Sequence, residues 1–129
     1  MSNEIISLSF PVNAAYVSSA RLTASSIANR IRFDIDEIED IKTAVSEACT
    51  YIIKVLPSSV KSNFLIKFTP GVDQMGVEII AKGGEVLTEV QADDLSITMI
   101  RAIMDEFSLE KKDHITITML KKHKKTLFE

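Results

Sequence analysis

The sequence predicts an α+β fold: a two-layer α/β sandwich, with a mixed, mostly antiparallel sheet and helices on one face, in the order β-α-α-β-β-α-β. Three observations carry this. Short stretches alternate apolar and polar residues with period two, the pattern of half-buried strands. Three longer stretches repeat apolar residues at helical spacing, so each has one face to bury. The chain is 129 residues long, 46% hydrophobic and 26% charged, enough for one core and an ordinary globular balance.

The first strand is read from Ile6, Leu8 and Phe10, alternating with Ser7 and Ser9 and ended by Pro11. Asn13 is placed to cap a helix whose stripe runs Val17, Ala20, Ala24, Ile27, Ala28 and Ile31. At the second helix Asp34 is the cap and Glu37, three residues on, completes a capping box flanked by Phe33 and Ile38. Its stripe continues through Ile41, Val45, Ala48, Ile52 and Leu56 until Pro57 stops it. Two strands follow, on Phe64, Ile66 and Phe68 and on Val77, Ile79 and Ala81, with "TPGVDQMG" as a loose hairpin loop. After the loop "KGGEVLTEVQADD", Asp94 caps a third helix with stripe Ile97, Ile100, Ile103, Met104 and Phe107. The last strand sets Ile115, Ile117 and Met119 on one face and Thr116 and Thr118 on the other.

Residues 1–120 are thus expected to form a single domain, and residues 121–129 a basic tail. The formal net charge is −3, with mixed signs along most of the chain, which gives no broad footprint for nucleic acid. The exception is Lys121, Lys122, His123, Lys124 and Lys125, read as a solvated end. A lone cysteine, Cys49, permits no intramolecular disulfide and fits core packing. The first residues lack a signal-peptide pattern, and no apolar run reaches the length of a membrane span. The expectation is a cytoplasmic protein without membrane contact.

The run "RLTASSIANRI…DEIEDIKTAVSEACT" resembles the anti-sigma-factor serine kinases of Gram-positive bacteria, small members of the histidine-kinase-type ATPase superfamily known as GHKL. The likeness is densest from Ala20 to Thr50 and resumes at "VEIIAKGG" and "MIRAIMDEF". It implies a GHKL ATPase-like fold. In that family the second helix carries Glu-x-x-x-Asn: the glutamate is a general base and the asparagine binds the magnesium that bridges the ATP phosphates. Glu47 matches the glutamate, but Tyr51 stands at the asparagine position, and a phenol is a poor ligand for magnesium. No cation lies one turn from Glu47, since Thr43, Ala44, Thr50 and Tyr51 fill those positions.

The family's adenine-binding aspartate, at the end of a strand before a glycine, maps to Lys82 followed by Gly83 and Gly84, and a lysine cannot accept the adenine amino hydrogen. The family's glycine-rich lid maps to Asp93, Asp94, Leu95 and Ser96, where carboxylates would face a triphosphate. The resemblance therefore implies a degenerate ATP site at Tyr51, Lys82, Gly84, Asp93, Asp94 and Ser96, with Glu47 a relict base. Tyr51 and Lys82 are expected to plug the old cleft, with Asp93 and Asp94 closing over it.

No catalytic residue, metal or cofactor is expected on this reading. Arg21 matches the family's partner-facing arginine on the first helix, and its planar fork suits carboxylates. The implied partners are a sigma factor or an anti-sigma antagonist, in partner switching that regulates transcription, and a homodimer is also implied. Three alternatives stay open. One is a working serine kinase with an altered nucleotide site, which would need ATP and magnesium. The others are a small-molecule module in the former cleft and nucleic-acid contact through the lysine tail.

Overall fold

The computed structural model describes residues 4–57, 59, 61–83 and 94–124. The elements are β1 (Ile6–Pro11), a 3-10 turn (Ala14–Tyr16), α1 (Val17–Ala28), α2 (Ile35–Val55), β2 (Asn63–Pro70), β3 (Gln74–Lys82), α3 (Leu95–Ile103), β4 (Glu106–Lys111) and β5 (His114–Lys122). The five strands lie in the order β1-β2-β3-β5-β4, and every pairing is antiparallel rather than mixed.

The second and third helices start at their expected caps, whereas Asn13 caps a 3-10 turn and α1 begins after Tyr16, which makes no side-chain cap hydrogen bond. The Asn13 side chain accepts the Ala15 N–H at 2.9 Å and so opens the 3-10 turn that leads into α1. At α2 the box is reciprocal: Asp34 Oδ1 accepts the Glu37 N–H and Glu37 Oε1 accepts the Asp34 N–H, both at 2.8 Å. Asp94 Oδ1 accepts the Ser96 N–H at 2.9 Å and starts α3. Acidic residues in the first turn of α2 and Lys54 in its last complement the helix dipole.

The period-two pattern is realised on the sheet. Phe64, Ile66, Phe68, Met75, Val77, Ile79, Ala81, Ile115, Ile117 and Met119 face the helices, each no more than 1% exposed. They form one continuous core with Ala24, Ile41, Val45, Ala48, Ile52 and Ile100 from the helix layer. Cys49 is buried in that core, and burial pushes its thiol up to about 12. None of the helices searched is long and apolar enough to cross a membrane.

Three elements depart from the sequence expectation. The third helix ends at Ile103, and Phe107 belongs to β4, a fifth strand in "EFSLEK". Phe107 satisfies the helical spacing after Ile103 and Ile100, yet with Leu109 it also alternates with Glu106 and Ser108, and pairing with β5 decides the matter. The β2–β3 loop is only Gly71–Asp73, because Thr69 and Pro70 pair with Gly76 and Met75. Finally, β5 runs through Lys122, so the domain does not stop at residue 120. Lys121 points to the core side and is 5% exposed. Its Nζ donates to Asp40 Oδ2 at 2.9 Å and to the Ile103 carbonyl at 2.7 Å. Two good acceptors at the helix–sheet boundary hold a lysine that its sequence surroundings mark as solvated.

Candidate functional site

Helix α2 lies in the middle of the helix layer, packed on α1 at one side and α3 at the other. Glu47, Tyr51 and Lys54 follow one another at spacings of four and three, so they share a face of that helix. Tyr51 is 3% exposed and belongs to the core. Its phenol makes no hydrogen bond among the described residues. Glu47 is half-buried and makes no hydrogen bond or ion pair among them.

One turn beyond Tyr51, Lys54 reaches across to α3. Its Nζ donates to Asp94 Oδ2 at 2.8 Å and to Ser96 Oγ at 3.2 Å. Ser96 is itself 2% exposed. Burial raises the Asp94 pKa. The Lys54 hydrogen bond and charge, with the N–H groups of Ser96 and Ile97, outweigh that and hold its carboxyl below the usual range. The start of α3 is therefore fastened to α2 by an ionised carboxylate and a lysine. Lys54 carries no motif, and the pair spans 40 residues, which hides it from local sequence reading. The available signal is its place on the Glu47–Tyr51 face opposite an acidic helix start.

Lys82 does not join this cluster. On β3 the residues facing the helices are Met75, Val77, Ile79 and Ala81, so Lys82 falls on the outer face, where it is exposed. There it helps line a groove of about 860 Å³ with Lys61, Ser62, Leu65, Ile80 and His114. The expected plug at Lys82 is thus corrected: strand alternation turns it away from the helix layer. The next inward position is Gly83, which is buried at φ 107°. That backbone favours glycine, and glycine brings no carboxylate to the end of the strand. Gly84 and Asp93 lie outside the described residues, so of the expected closing pair only Asp94 is placed.

Arg21 is exposed on α1, beside Leu22, which is 67% exposed. It makes no ion pair among the described residues. The searched residues contain no group of three or more His, Cys, Asp or Glu able to hold a metal ion.

A second polar centre lies at the other end of α2. Glu37 is 2% exposed, and besides closing the capping box it receives the last described residues of the chain. His123 Nδ1 lies 2.9 Å from Glu37 Oε1, and the Lys124 N–H donates to Oε2 at 2.7 Å. The His123 ring meets Phe33 edge-on at 6.3 Å, and the His123 backbone N–H donates to the Asp73 carbonyl at 2.8 Å. Burial raises the Glu37 pKa, but the N–H groups of Asp34 and Lys124 and the His123 ring overcome this and leave it lowered. Sequence reading finds the capping half of this arrangement and misses the half that comes from 86 residues away.

Comparison with known proteins places the chain in a family. The chain is 27% identical over 135 aligned residues to the serine-protein kinase RsbW of Bacillus cereus (strain Q1), covering 92% of this chain and 84% of that protein. Against RsbW of B. cereus (strain B4264) the identity is 28% over 137 aligned residues, with the same coverage. Among solved structures, the RsbU and RsbW domains of Rv1364c from Mycobacterium tuberculosis share the fold, with a TM-score of 0.69 at 15% identity. That match covers 92% of this chain and 32% of the longer one. Residues 10–122 match the family described as the histidine kinase-like ATPase domain, and the chain belongs to that family.

Proposed function

We propose that the chain is a protein-binding regulator of the anti-sigma type, acting by partner switching, whose nucleotide site no longer holds magnesium-ATP. The observation that carries this reading is the Lys54–Asp94–Ser96 contact. It fills the start of α3, where the family's lid opens onto the phosphates, with an internal ion pair. The charge there is balanced before any phosphate arrives, and Asp94 would repel one. The other positions agree. Tyr51 offers a buried phenol where the metal needs a hard oxygen ligand, and Gly83 offers no side-chain carboxylate to adenine. The residues present do not fit a metal-bound triphosphate.

Similarity to RsbW supports the choice of partner class: a sigma factor, or an antagonist that competes for the chain. Arg21 is the residue proposed to meet it. It is a guanidinium without an ion pair among the described residues, on an exposed helix face, suited to bidentate pairing with a carboxylate.

A second reading, a working serine kinase, draws on Glu47. Its carboxylate is half-buried and unpartnered among the described residues, as a general base would be. Calorimetric titration with magnesium-ATP separates the two. The regulator gives no binding heat and an unchanged melting temperature, whereas a ligand at a hundred times its Kd would stabilise the fold by about 2.7 kcal/mol. Clear binding, or transfer of labelled phosphate to an antagonist protein, would reject the regulator reading in favour of the kinase. For the partner surface, Arg21→Glu should abolish capture of a cognate sigma factor or antagonist without changing the melting temperature. Retained capture would remove Arg21 from the interface.

A further inference from the structure

The groove that Lys82 helps line lies on the face of the sheet turned away from the helices, and so away from Glu47, Tyr51 and Lys54 on α2. Its floor follows from strand register. Ser9, Leu65, Ile80 and Thr116 pair in succession across β1, β2, β3 and β5, so their side chains form one outward row. The row beside it is polar throughout, with Ser7, Lys67, Glu78 and Thr118. On the other side Pro11 pairs with Asn63, and Lys82 pairs with His114. Leu65 and Ile80 therefore make an apolar step on a polar face, with Leu65 36% exposed and the Lys82–His114 pair at its border.

The walls are tied together. The Ser62 carbonyl accepts the Val12 N–H at 2.9 Å, and Ser62 Oγ donates to the Lys82 carbonyl at 3.2 Å. The start of β2 is thus held to the end of β1 on one side and to the end of β3 on the other. Asn13 Oδ1 is engaged by the Ala15 N–H, which leaves the amide N–H groups of Asn13 as donors at the rim.

The charge is one-sided. The chain holds 18 acidic and 15 basic residues, yet the described lining includes Lys61, Lys82 and His114 and no carboxylate. None of these three side chains makes a hydrogen bond or ion pair among the described residues. Donors converge on an apolar floor, in a groove whose volume of about 860 Å³ suits a small ligand. We propose that this groove binds a small organic anion, with a flat apolar body on Leu65 and Ile80 and a carboxylate or phosphate held by Lys61, Lys82 and His114. Lysine acts there as a point charge, so either head group suits it. The site is separate from the helix-side cleft and stands whether or not that cleft holds nucleotide.

The test follows the backbone amides of the full chain by NMR during titration with naphthoate, naphthyl phosphate, neutral naphthalenemethanol and inorganic phosphate. At least one naphthyl anion is expected to saturate at about 1 mM or below, and to move the amides of Ser62, Leu65, Ile80, Lys82 and His114. The tighter of the two identifies the head group. Naphthalenemethanol lacks the charge and inorganic phosphate lacks the body, so each should bind about tenfold more weakly or worse. K61E/K82E should weaken the naphthyl anions about tenfold or more, and K61M/K82M should weaken them in the same direction. Leu65→Ser should weaken the naphthyl anions and leave inorganic phosphate unchanged. Lys61, Leu65 and Lys82 are exposed on the outer face, so melting temperatures should stay at the wild-type value. The proposal is overturned if neither naphthyl anion saturates, if both lysine variants bind as tightly as wild type, or if the neutral compound binds equally well. Shifts confined to Glu47, Tyr51 and Lys54 would place the anion in the helix-side cleft and overturn it too. Preference for a glutamate-rich peptide over both naphthyl anions would make the groove a protein contact, with the same consequence.

Discussion

Glu37 serves two structures at once. As the third residue of α2 it completes the capping box, and as a buried carboxylate it holds His123 and the Lys124 N–H. The first role is written in four consecutive residues and was open to sequence reading. The second depends on β5 finishing beside α2, which only the fold decides. A buried anion with several donors is costly to remove, because the donors lose their acceptor while staying out of water. Glu37→Ala is expected to cost on the order of 2–3 kcal/mol in urea unfolding. The pH dependence follows from the direction of the shift. The folded pKa lies below the ordinary value of 4.5, so the unfolded chain takes up the proton first. The stabilisation is complete above about pH 4.5 and declines as pH falls from there through the lowered folded value. Glu37→Gln should flatten this part of the stability profile, and an unchanged acid slope would show that Glu37 does not contribute to it.

At the scale of elements, the α2–α3 contact and the α3–β4 boundary show what local pattern can and cannot supply. Caps at Asp34 and Asp94 act within three residues, so the starts of α2 and α3 were readable, whereas Asn13 opens the 3-10 turn ahead of α1. The end of α3 was not, because Phe107 fits both periods and the choice is made by β5. The same holds for Lys82: its helix-averted side follows from alternation along β3, but a motif alignment that ignores the pleat puts it in the cleft. Lys54 was invisible because its partners lie beyond the loop. These origins separate two variants. Asp94→Ala removes the α3 cap and the ion pair together, and the cap alone is worth about 1 kcal/mol. Lys54→Met removes only the pair, and with the Lys54 side chain 41% exposed, the loss should be no more than about 1 kcal/mol. Hydrogen exchange of the α3 amides should therefore accelerate more in Asp94→Ala than in Lys54→Met. Equal acceleration would mean that the bridge, rather than the cap, sets the stability of this helix.

For the whole molecule, the two layers and the buried side of the four expected strands were legible, because both come from periodicities of 2 and 3.6. The closure of the domain was not, because charge runs look solvated when read along the chain. Lys121 enters the core side with Asp40 and the end of α3 as acceptors, the Lys122 N–H donates to Asp105 Oδ2 at 2.7 Å, and His123 and Lys124 reach Glu37. This short segment thus touches α2, the C-terminal end of α3 and the residue before β4. A chain cut after Leu120 would leave Glu37 buried with two of its donors gone, and would lose the only charge facing Asp40 that the described contacts provide. Hydrogen bonds to charged groups contribute roughly 1.5–3 kcal/mol each, and domains of this kind are stable by about 5–15 kcal/mol in total. Losing several together should bring the truncated chain close to its unfolding limit at 25 °C. Comparison with a chain ending at Lys124 isolates residues 121–124. The shorter chain is expected to lose its cooperative thermal transition and become protease-sensitive, while Lys121→Met in the full chain should lower stability by a smaller, measurable step. If the chain cut after Leu120 melts like the one ending at Lys124, these residues are a solvated end after all, and the ion pair at Asp40 adds nothing to the fold.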